Sequence, residues 1–148
     1  MSKTSGKLEY ADAKGMHVST SDWRIHIGGP FTAFRLVGLN DRLLASLSDD
    51  GRLTVHAGYL WDGSSGPTVD GAADPVPSLV HDVLYEAMRA RKLPLSMRQP
   101  ADALYHELLR ERGMGGFRAG LRYLGLRFFG RSSASPRKGA EYPKREAA

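Results

Sequence analysis

The stretch WDGSSGPTVDGAADPVPSLVHDVLYEAMRARK, from Trp61 to Lys92, decides how the chain is organised. Its first part, residues 61–77, is rich in glycine, proline and aspartate, a composition typical of a loop. Its second part spaces apolar residues at helical intervals, which predicts a helix over residues 78–92 with Ser78 as the N-cap. The stretch therefore marks a junction at which a loop runs directly into a helix.

Upstream of this junction, large apolar residues alternate with polar or small ones, as they do in half-buried β-strands. The alternation covers Trp23–Ile27 (WRIHI), Phe31–Val37 (FTAFRLV) and Leu43–Trp61. A Gly28-Gly29-Pro30 break separates the first two runs, and Asp49-Asp50-Gly51 predicts a hairpin turn within the third. We therefore expect a small antiparallel sheet in this region.

Downstream of the first helix, two further helices are predicted. Pro100 suits the first turn of the segment PADALYHELLRER, and Gly113 ends it. The third segment, FRAGLRYLGLRFF, has apolar residues at helical spacing, which we interpret as core positions: Phe117, Leu121, Leu124 and Phe128. The arginines between them, at positions 118, 122 and 127, are interpreted as a solvated face. A basic amphipathic helix of this kind can alternatively lie on an anionic lipid surface.

Together these patterns predict an α+β fold, in which a small N-terminal antiparallel β-sheet precedes a helical unit of about three helices. The first two helices are expected to be antiparallel, with the third across them. The predicted regions are a flexible start (1–7), an antiparallel β region (8–60), a loop plus helical unit (61–130) and a disordered basic tail (131–148).

Composition limits the classes of protein to which the chain can belong. With 148 residues, 41% hydrophobic and 25% charged, it suits one domain. The absence of cysteine excludes disulfides and thiolate zinc sites. The net charge of +5 favours anionic partners, although no nucleic-acid-binding motif accompanies it. We expect no signal peptide and no transmembrane segment, because no apolar run reaches the roughly 20 residues of a membrane span.

The first predicted helix carries a polar cluster on an otherwise apolar segment. His81 and Tyr85 are four residues apart and share a face, and Asp82 lies on its edge. Asp102, early in the second helix, reaches His81 only if the linker between the helices folds back. A carboxylate partner fixes the tautomer of a histidine, which suits a general base. The alternatives are a buried structural histidine, and an aspartate that interacts with the helix dipole.

The loop before this helix offers backbone carbonyls and the Asp62 side chain. Hard oxygen ligands of this kind suit calcium, and glycine allows the tight backbone turns that bring carbonyls together. A cation held there would polarise an ester carbonyl. Alternatively, Asp62 simply caps the turn at Gly63. The sequence thus allows a calcium site beside a candidate base.

Two segments resemble the secreted phospholipase A(2) enzymes. His81-Asp82-x-x-Tyr85 is similar to their HDxxY helix, and Trp61–Asp70 resembles their calcium loop, most closely in the short bacterial and fungal branch. The resemblance implies that His81 activates water and that Asp102, together with Tyr85, orients His81. It also implies a calcium site and an oxyanion donor at the Gly63 amide. The residues so assigned to calcium are Asp82, Trp61, Asp62 and Gly63.

A second resemblance covers more of the chain and concerns an uncharacterised conserved family of tailed bacteriophages and prophages. The matching segments are Gly58-Tyr59, Trp61–Pro67, Ser78–Tyr85, Arg98–Asp102 and Gly113–Gly130. We expect a protein that is made in the host cytoplasm, and both a virion component and a non-structural phage protein fit the resemblance. It implies no particular activity.

Three functional hypotheses follow. The first is a phage-type protein with a calcium-dependent, phospholipase A(2)-like site that acts on lipid or another ester, with an anionic membrane surface as partner. The second is a non-enzymatic virion or tail-assembly component that binds other virion proteins and uses the His-Asp cluster as a buried polar network. The third is a different metal-assisted hydrolase, but the chain lacks the second histidine at ligand spacing that a zinc site usually has.

Overall fold

Eight short strands and four helices make up the fold in a computed structural model, which describes residues 4–5, 7–13, 16–61 and 75–136. Two antiparallel sheets come first and the helices follow, so the predicted α+β class is confirmed. The predicted loop residues Asp62 and Gly63, and the predicted tail from residue 137, lie outside the described residues. None of the described helices combines the length and the hydropathy that a membrane crossing requires.

The strands form two sheets rather than the single sheet that we expected. Their bounds are Thr4–Ser5 (β1), Tyr10–Ala13 (β2), Met16–Ser19 (β3), Trp23–His26 (β4), Phe34–Val37 (β5), Leu43–Leu47 (β6), Arg52–Val55 (β7) and Leu60–Trp61 (β8). One sheet has the order β1-β4-β7-β6-β5 and the other β2-β3-β8. Strand β1 falls within the predicted flexible start and pairs with β4, so paired strand structure begins earlier than the sequence suggested.

The predicted hairpin is the β6–β7 pair, in which Leu47 lies opposite Leu53. Gly51 in its turn has a φ of +85°, a left-handed conformation that favours glycine. A Cβ at this position would also lie 2.9 Å from the Gly28 Cα. The turn therefore needs glycine for both its backbone angle and its close approach to the Gly28-Gly29 break.

The helices are α1 (Val76–Arg89), α2 (Arg98–Glu111), α3 (Gly116–Phe129) and α4 (Arg131–Ala134). The predicted N-cap was wrong, because α1 begins two residues before Ser78. Pro77 fits the first turn, where a helix does not need its N–H, and the Ser78 hydroxyl donates to the Pro75 carbonyl at 2.8 Å. Pro100 lies in the first turn of α2, as predicted. The short α4 falls within the segment that was predicted to be disordered.

The contacts between the helices show their directions. His81 contacts both Asp102 and Tyr105 of α2, whereas Tyr85, one turn later on α1, contacts Asp102, so these two helices are antiparallel, as expected. Helix α3 does not cross both of them. It runs antiparallel to α2 instead, with Ala119 in one hydrophobic cluster with Leu109 and Tyr105.

The predicted orientation of α3 was wrong. The four residues interpreted as core are exposed by 50–81%: Phe117, Leu121, Leu124 and Phe128. The side that faces α2 instead carries the fully buried Ala119, whose small side chain allows close approach, and the partly buried Leu126. Helical spacing identifies one face of a helix, but it does not say which face the protein buries.

The sheets and the helices share one hydrophobic core. A single cluster of buried side chains includes Trp23, Leu36 and Leu53 from the larger sheet together with Leu84 from α1 and Leu108 from α2. This shared core fixes α1 against the sheet face, and the polar residues of α1 are positioned by that packing.

Candidate functional site

His81 and Asp102 meet between α1 and α2, because the connection over residues 90–97 folds back. The His81 Nε2 lies 2.8 Å from the Asp102 Oδ1. His81 is 7% exposed and Asp102 is 0% exposed, so water hardly screens the pair. The turn includes Arg91 at a φ of +60° and the buried Leu93.

Tyr85 completes this contact. Its hydroxyl donates to the same Asp102 Oδ1 at 2.6 Å, and its ring centroid lies 4.0 Å from that of His81. Tyr105 of α2 lies against His81 from another direction, at 5.2 Å between ring centroids. The imidazole is therefore held by one carboxylate and two aromatic rings, which leaves it little rotational freedom.

The electrostatics of the cluster keep Asp102 ionised. Burial alone would raise its pKa, but the hydrogen bonds from His81 and Tyr85, with a further bond from Arg127, outweigh burial and hold the pKa below its usual value. Burial raises the pKa of Tyr85, and its bond to the carboxylate raises that pKa further. At neutral pH Asp102 is thus a carboxylate and Tyr85 a neutral phenol.

The ionised carboxylate fixes the tautomer of His81. A carboxylate can only accept hydrogen bonds, so the imidazole must carry its proton on Nε2. In the neutral form of His81 the lone pair is then on Nδ1, the nitrogen that does not contact Asp102. That arrangement is the one a general base requires.

Two arginines complete what we call the Asp102 cluster: His81, Tyr85, Arg98, Asp102 and Arg127. The Arg127 Nη1 donates to the Asp102 Oδ2 at 2.9 Å. The Arg98 Nε lies 3.6 Å from the same oxygen, and its Nη2 donates to the Leu126 carbonyl at 3.1 Å and to the Arg127 carbonyl. Both arginines thus link the carboxylate to the end of α3.

Sequence reasoning missed the role of Arg127, which we had interpreted as part of a solvated face. It lies 25 positions after Asp102 on another helix, so no local spacing connects the two residues. Arg98 precedes Asp102 by four positions on α2, a spacing typical of helical ion pairs, so the sequence does carry a signal for this pair.

Asp82 points away from the Asp102 cluster, toward the strand that leads into residues 62–74. The hydroxyl of Tyr59, a fully buried residue, donates to the Asp82 Oδ2 at 2.8 Å. Tyr59 directly precedes β8, so this contact joins α1 to the start of the predicted calcium loop. Sequence reasoning gave Tyr59 no role of its own.

Trp61, the last described residue before that loop, is fully buried. Its ring packs 5.3 Å from His17 and 5.9 Å from Tyr10, between centroids, so its side chain belongs to the smaller sheet. Indole has no oxygen to offer a cation, so among the predicted calcium residues Trp61 can contribute only its backbone carbonyl.

The described part of the chain has no group of three or more metal-ligating side chains. Asp82 is the one predicted carboxylate ligand within it, since Asp62 lies outside. Calcium takes six to eight oxygen ligands, so a site at Asp82 requires further oxygens from residues 62–74 or from water. The Asp82 carboxylate is the type of hard oxygen ligand that calcium prefers, and it lies beside the start of the loop.

Comparison of the chain with protein-family models, with curated protein sequences and with solved structures finds no match. The two resemblances stay predictions, and the assignment of function rests on the geometry of the Asp102 cluster and of Asp82.

Proposed function

We propose that the chain is a phage-type ester hydrolase with a calcium-dependent, phospholipase A(2)-like site. The observation that carries the proposal is the contact of His81 Nε2 with Asp102 Oδ1 at 2.8 Å, supported by the Tyr85 hydroxyl at 2.6 Å on the same oxygen. A base oriented by a buried carboxylate is a recurring arrangement in hydrolytic sites.

In the proposed reaction His81 moves one proton in each direction. A water molecule bound at Nδ1 attacks the carbonyl carbon of an ester, and Nδ1 takes a proton from that water. The tetrahedral oxyanion then collapses, and the departing alkoxide takes the proton from Nδ1 to leave as an alcohol. Asp102 remains ionised throughout and stabilises the charge that His81 carries between the two transfers.

Asp82 has a separate role in this proposal. It lies next to His81 in the sequence but contacts Tyr59, so its carboxylate is directed to a different side of α1. Asp82 and the loop at Asp62 and Gly63 would hold the calcium ion, which would polarise the ester carbonyl and stabilise the oxyanion. Tyr59 would set the orientation of Asp82.

The test is hydrolysis of anionic vesicles that carry a labelled sn-2 chain, measured with calcium and with a chelator. The variant His81→Asn removes the base, and His106→Asn serves as a matched control on α2 outside the Asp102 cluster. We expect calcium-dependent release by the wild type and by His106→Asn, and none by His81→Asn. Folded wild-type protein that releases no labelled chain would contradict the hydrolase proposal for this substrate.

A second proposed function, a non-enzymatic virion or tail-assembly component, is favoured by the cationic side of the Asp102 cluster. Two arginines contact the fully buried Asp102, and both connect to the end of α3. A buried polar network of this type can specify how helices pack without any catalytic role.

The two functions differ in what His81→Ala changes. For a structural protein, the variant lowers the melting temperature and reduces incorporation into particles, and no hydrolytic activity exists to be lost. For a hydrolase, His81→Asn loses turnover while its melting temperature stays within a few degrees of the wild type. Measuring both quantities on both variants separates the two functions.

A further inference from the structure

Helix α3 presents an apolar stripe to the outside of the protein. Four large side chains at intervals of three and four residues form this outer stripe: Phe117, Leu121, Leu124 and Phe128. Their exposed fractions are 81%, 54%, 50% and 77%. A large contiguous patch of exposed apolar side chains typically marks an interaction site.

The inner side of α3 prevents the helix from turning to bury the stripe. Ala119, fully buried, packs with Tyr105 and Leu109 of α2. Near the other end, Arg127 donates to Asp102, and Arg98 donates to the carbonyls of residues 126 and 127. These contacts fix the rotation of α3 about its axis, so within the part of the chain that the structure describes the stripe has no surface to cover it.

The sequence segment that contains the stripe is strongly basic. From Arg112 to Ala140 the sequence has no aspartate or glutamate and seven basic residues: Arg112, Arg118, Arg122, Arg127, Arg131, Arg137 and Lys138. This excess is larger than the net charge of +5 of the whole chain, so the basic character of the protein is concentrated in this segment. Its partner should therefore be anionic as well as apolar.

We propose that the outer stripe of α3 docks on an anionic lipid surface, with the helix parallel to the membrane plane. A helix of 14 residues is about 21 Å long, shorter than the roughly 30 Å hydrocarbon core, so it lies in the interface. Apolar side chains then enter the boundary of the acyl chains while arginines meet lipid phosphates. This inference deepens the proposed hydrolase, because it names the surface on which that site works.

Charge favours lipid over the other occupants. In a homodimer through α3, two strongly basic segments would face each other, which is electrostatically unfavourable. Nucleic acid would satisfy the arginines but would offer no apolar surface to four large side chains at the centre of the face. A lipid surface with anionic headgroups complements both features together.

The test is flotation of the full chain with vesicles of phosphatidylglycerol and phosphatidylcholine, compared with phosphatidylcholine alone. The double variant Phe117→Ser/Phe128→Ser removes the ends of the stripe at exposed positions. Leu39→Ser is the matched control, because Leu39 is 56% exposed and lies far from α3 in the sequence. We expect the double variant to bind mixed vesicles at least tenfold more weakly than the wild type, and Leu39→Ser to bind as the wild type does.

A charge variant gives an independent readout. Arg118→Gln should weaken binding to mixed vesicles, and the same decrease should follow from raising the salt concentration. Equal binding by the wild type and the double variant would overturn the proposal. Sedimentation that shows a dimer lost in the double variant, without vesicle binding, would overturn it in favour of a second copy of this chain.

Failure of this inference can be distinguished from failure of the proposed hydrolase. His81→Asn should float with anionic vesicles as the wild type does, whether or not it hydrolyses lipid. Vesicle binding without any ester hydrolysis would contradict the proposed hydrolase and support the docking surface on α3. Hydrolysis of a soluble short-chain ester without vesicle binding would support the proposed hydrolase and contradict the docking surface.

Discussion

At the scale of the residue, Asp102 explains most of the candidate site. This fully buried carboxylate accepts from His81, Tyr85 and Arg127 and forms an ion pair with Arg98. Its charge fixes the tautomer of His81 and compensates Arg98 of α2 and Arg127 at the end of α3. A neutral side chain of the same shape would therefore disturb the site and the packing of α3 together.

We expect Asp102→Asn to lower the proposed hydrolysis by roughly two orders of magnitude or more, because an amide no longer fixes the tautomer of His81. The variant also leaves two arginines without their carboxylate, which should lower the free energy of unfolding by about 3 kcal/mol. Urea denaturation and the vesicle assay measure these two effects. Asp49→Asn, at an exposed position of the hairpin, should change neither, and an equal loss in that control would contradict the prediction.

Asp102 should also make stability depend on pH in the acid range. The pKa of Asp102 in the folded protein lies below 3.8, its ordinary value, so the unfolded chain binds a proton first as the pH falls. The contribution of Asp102 to stability is therefore complete well above pH 4 and is lost on acidification. The difference in unfolding free energy between the wild type and Asp102→Asn should shrink between pH 5 and pH 2. A difference that stays constant over this range would rule out the assignment.

Tyr85 should make stability depend on pH in the alkaline range, with the opposite sign. Burial and the contact with Asp102 raise its pKa above the ordinary value of 10.0, so its contribution to stability is present below pH 10 and is lost as the pH rises further. Tyr85→Phe removes one hydrogen bond to a charged group and should cost about 2 kcal/mol at neutral pH. The difference in melting temperature between the wild type and the variant should stay constant from pH 8 to pH 10 and shrink as the pH rises above 10.

At the scale of the element, the junction between α3 and α4 depends on one glycine. A Cβ at Gly130 would lie 2.6 Å from both the Tyr85 hydroxyl oxygen and the Leu126 carbonyl oxygen. Gly130→Ala should therefore displace Tyr85 and lower both the stability of the protein and the proposed hydrolysis. Gly125→Ala is the matched control, since a Cβ there meets no atom within 4 Å, and it should stabilise α3 by about 0.5–1 kcal/mol. Thermal melts of both variants measure these effects. Shifts of the melting temperature in the same direction would contradict the role given to Gly130.

The elements themselves were predictable from the sequence, whereas their orientation was only partly so. The alternation at Trp23–Ile27 and the Asp49-Asp50-Gly51 turn are local signals, and they correctly predicted strands and a hairpin. The sequence placed His81 and Tyr85 on one face of a helix, but it left the contact with Asp102 open because that contact depends on how the connection between the helices folds back. The roles of these residues stay predictions. The outward face of α3 could not be predicted, because it depends on Ala119 and Arg127 contacting α2, and such contacts leave no periodic signal.

At the scale of the whole molecule, the sheets and helices unfold together if their shared core governs stability. Buried side chains from both belong to one cluster, so neither half can lose its packing alone. The prediction is that tryptophan fluorescence, which reports Trp23 and Trp61 in the sheets, and far-ultraviolet circular dichroism, dominated by the helices, give the same melting temperature. The variant Leu84→Ala opens a cavity in α1 against the sheet and should cost about 3 kcal/mol, shifting both curves down by roughly 10 °C. A fluorescence transition that keeps its midpoint while the helical signal moves would mean that the sheets are stable without the helices. The shared core would then position His81 and Asp102 without making them part of one cooperative unit.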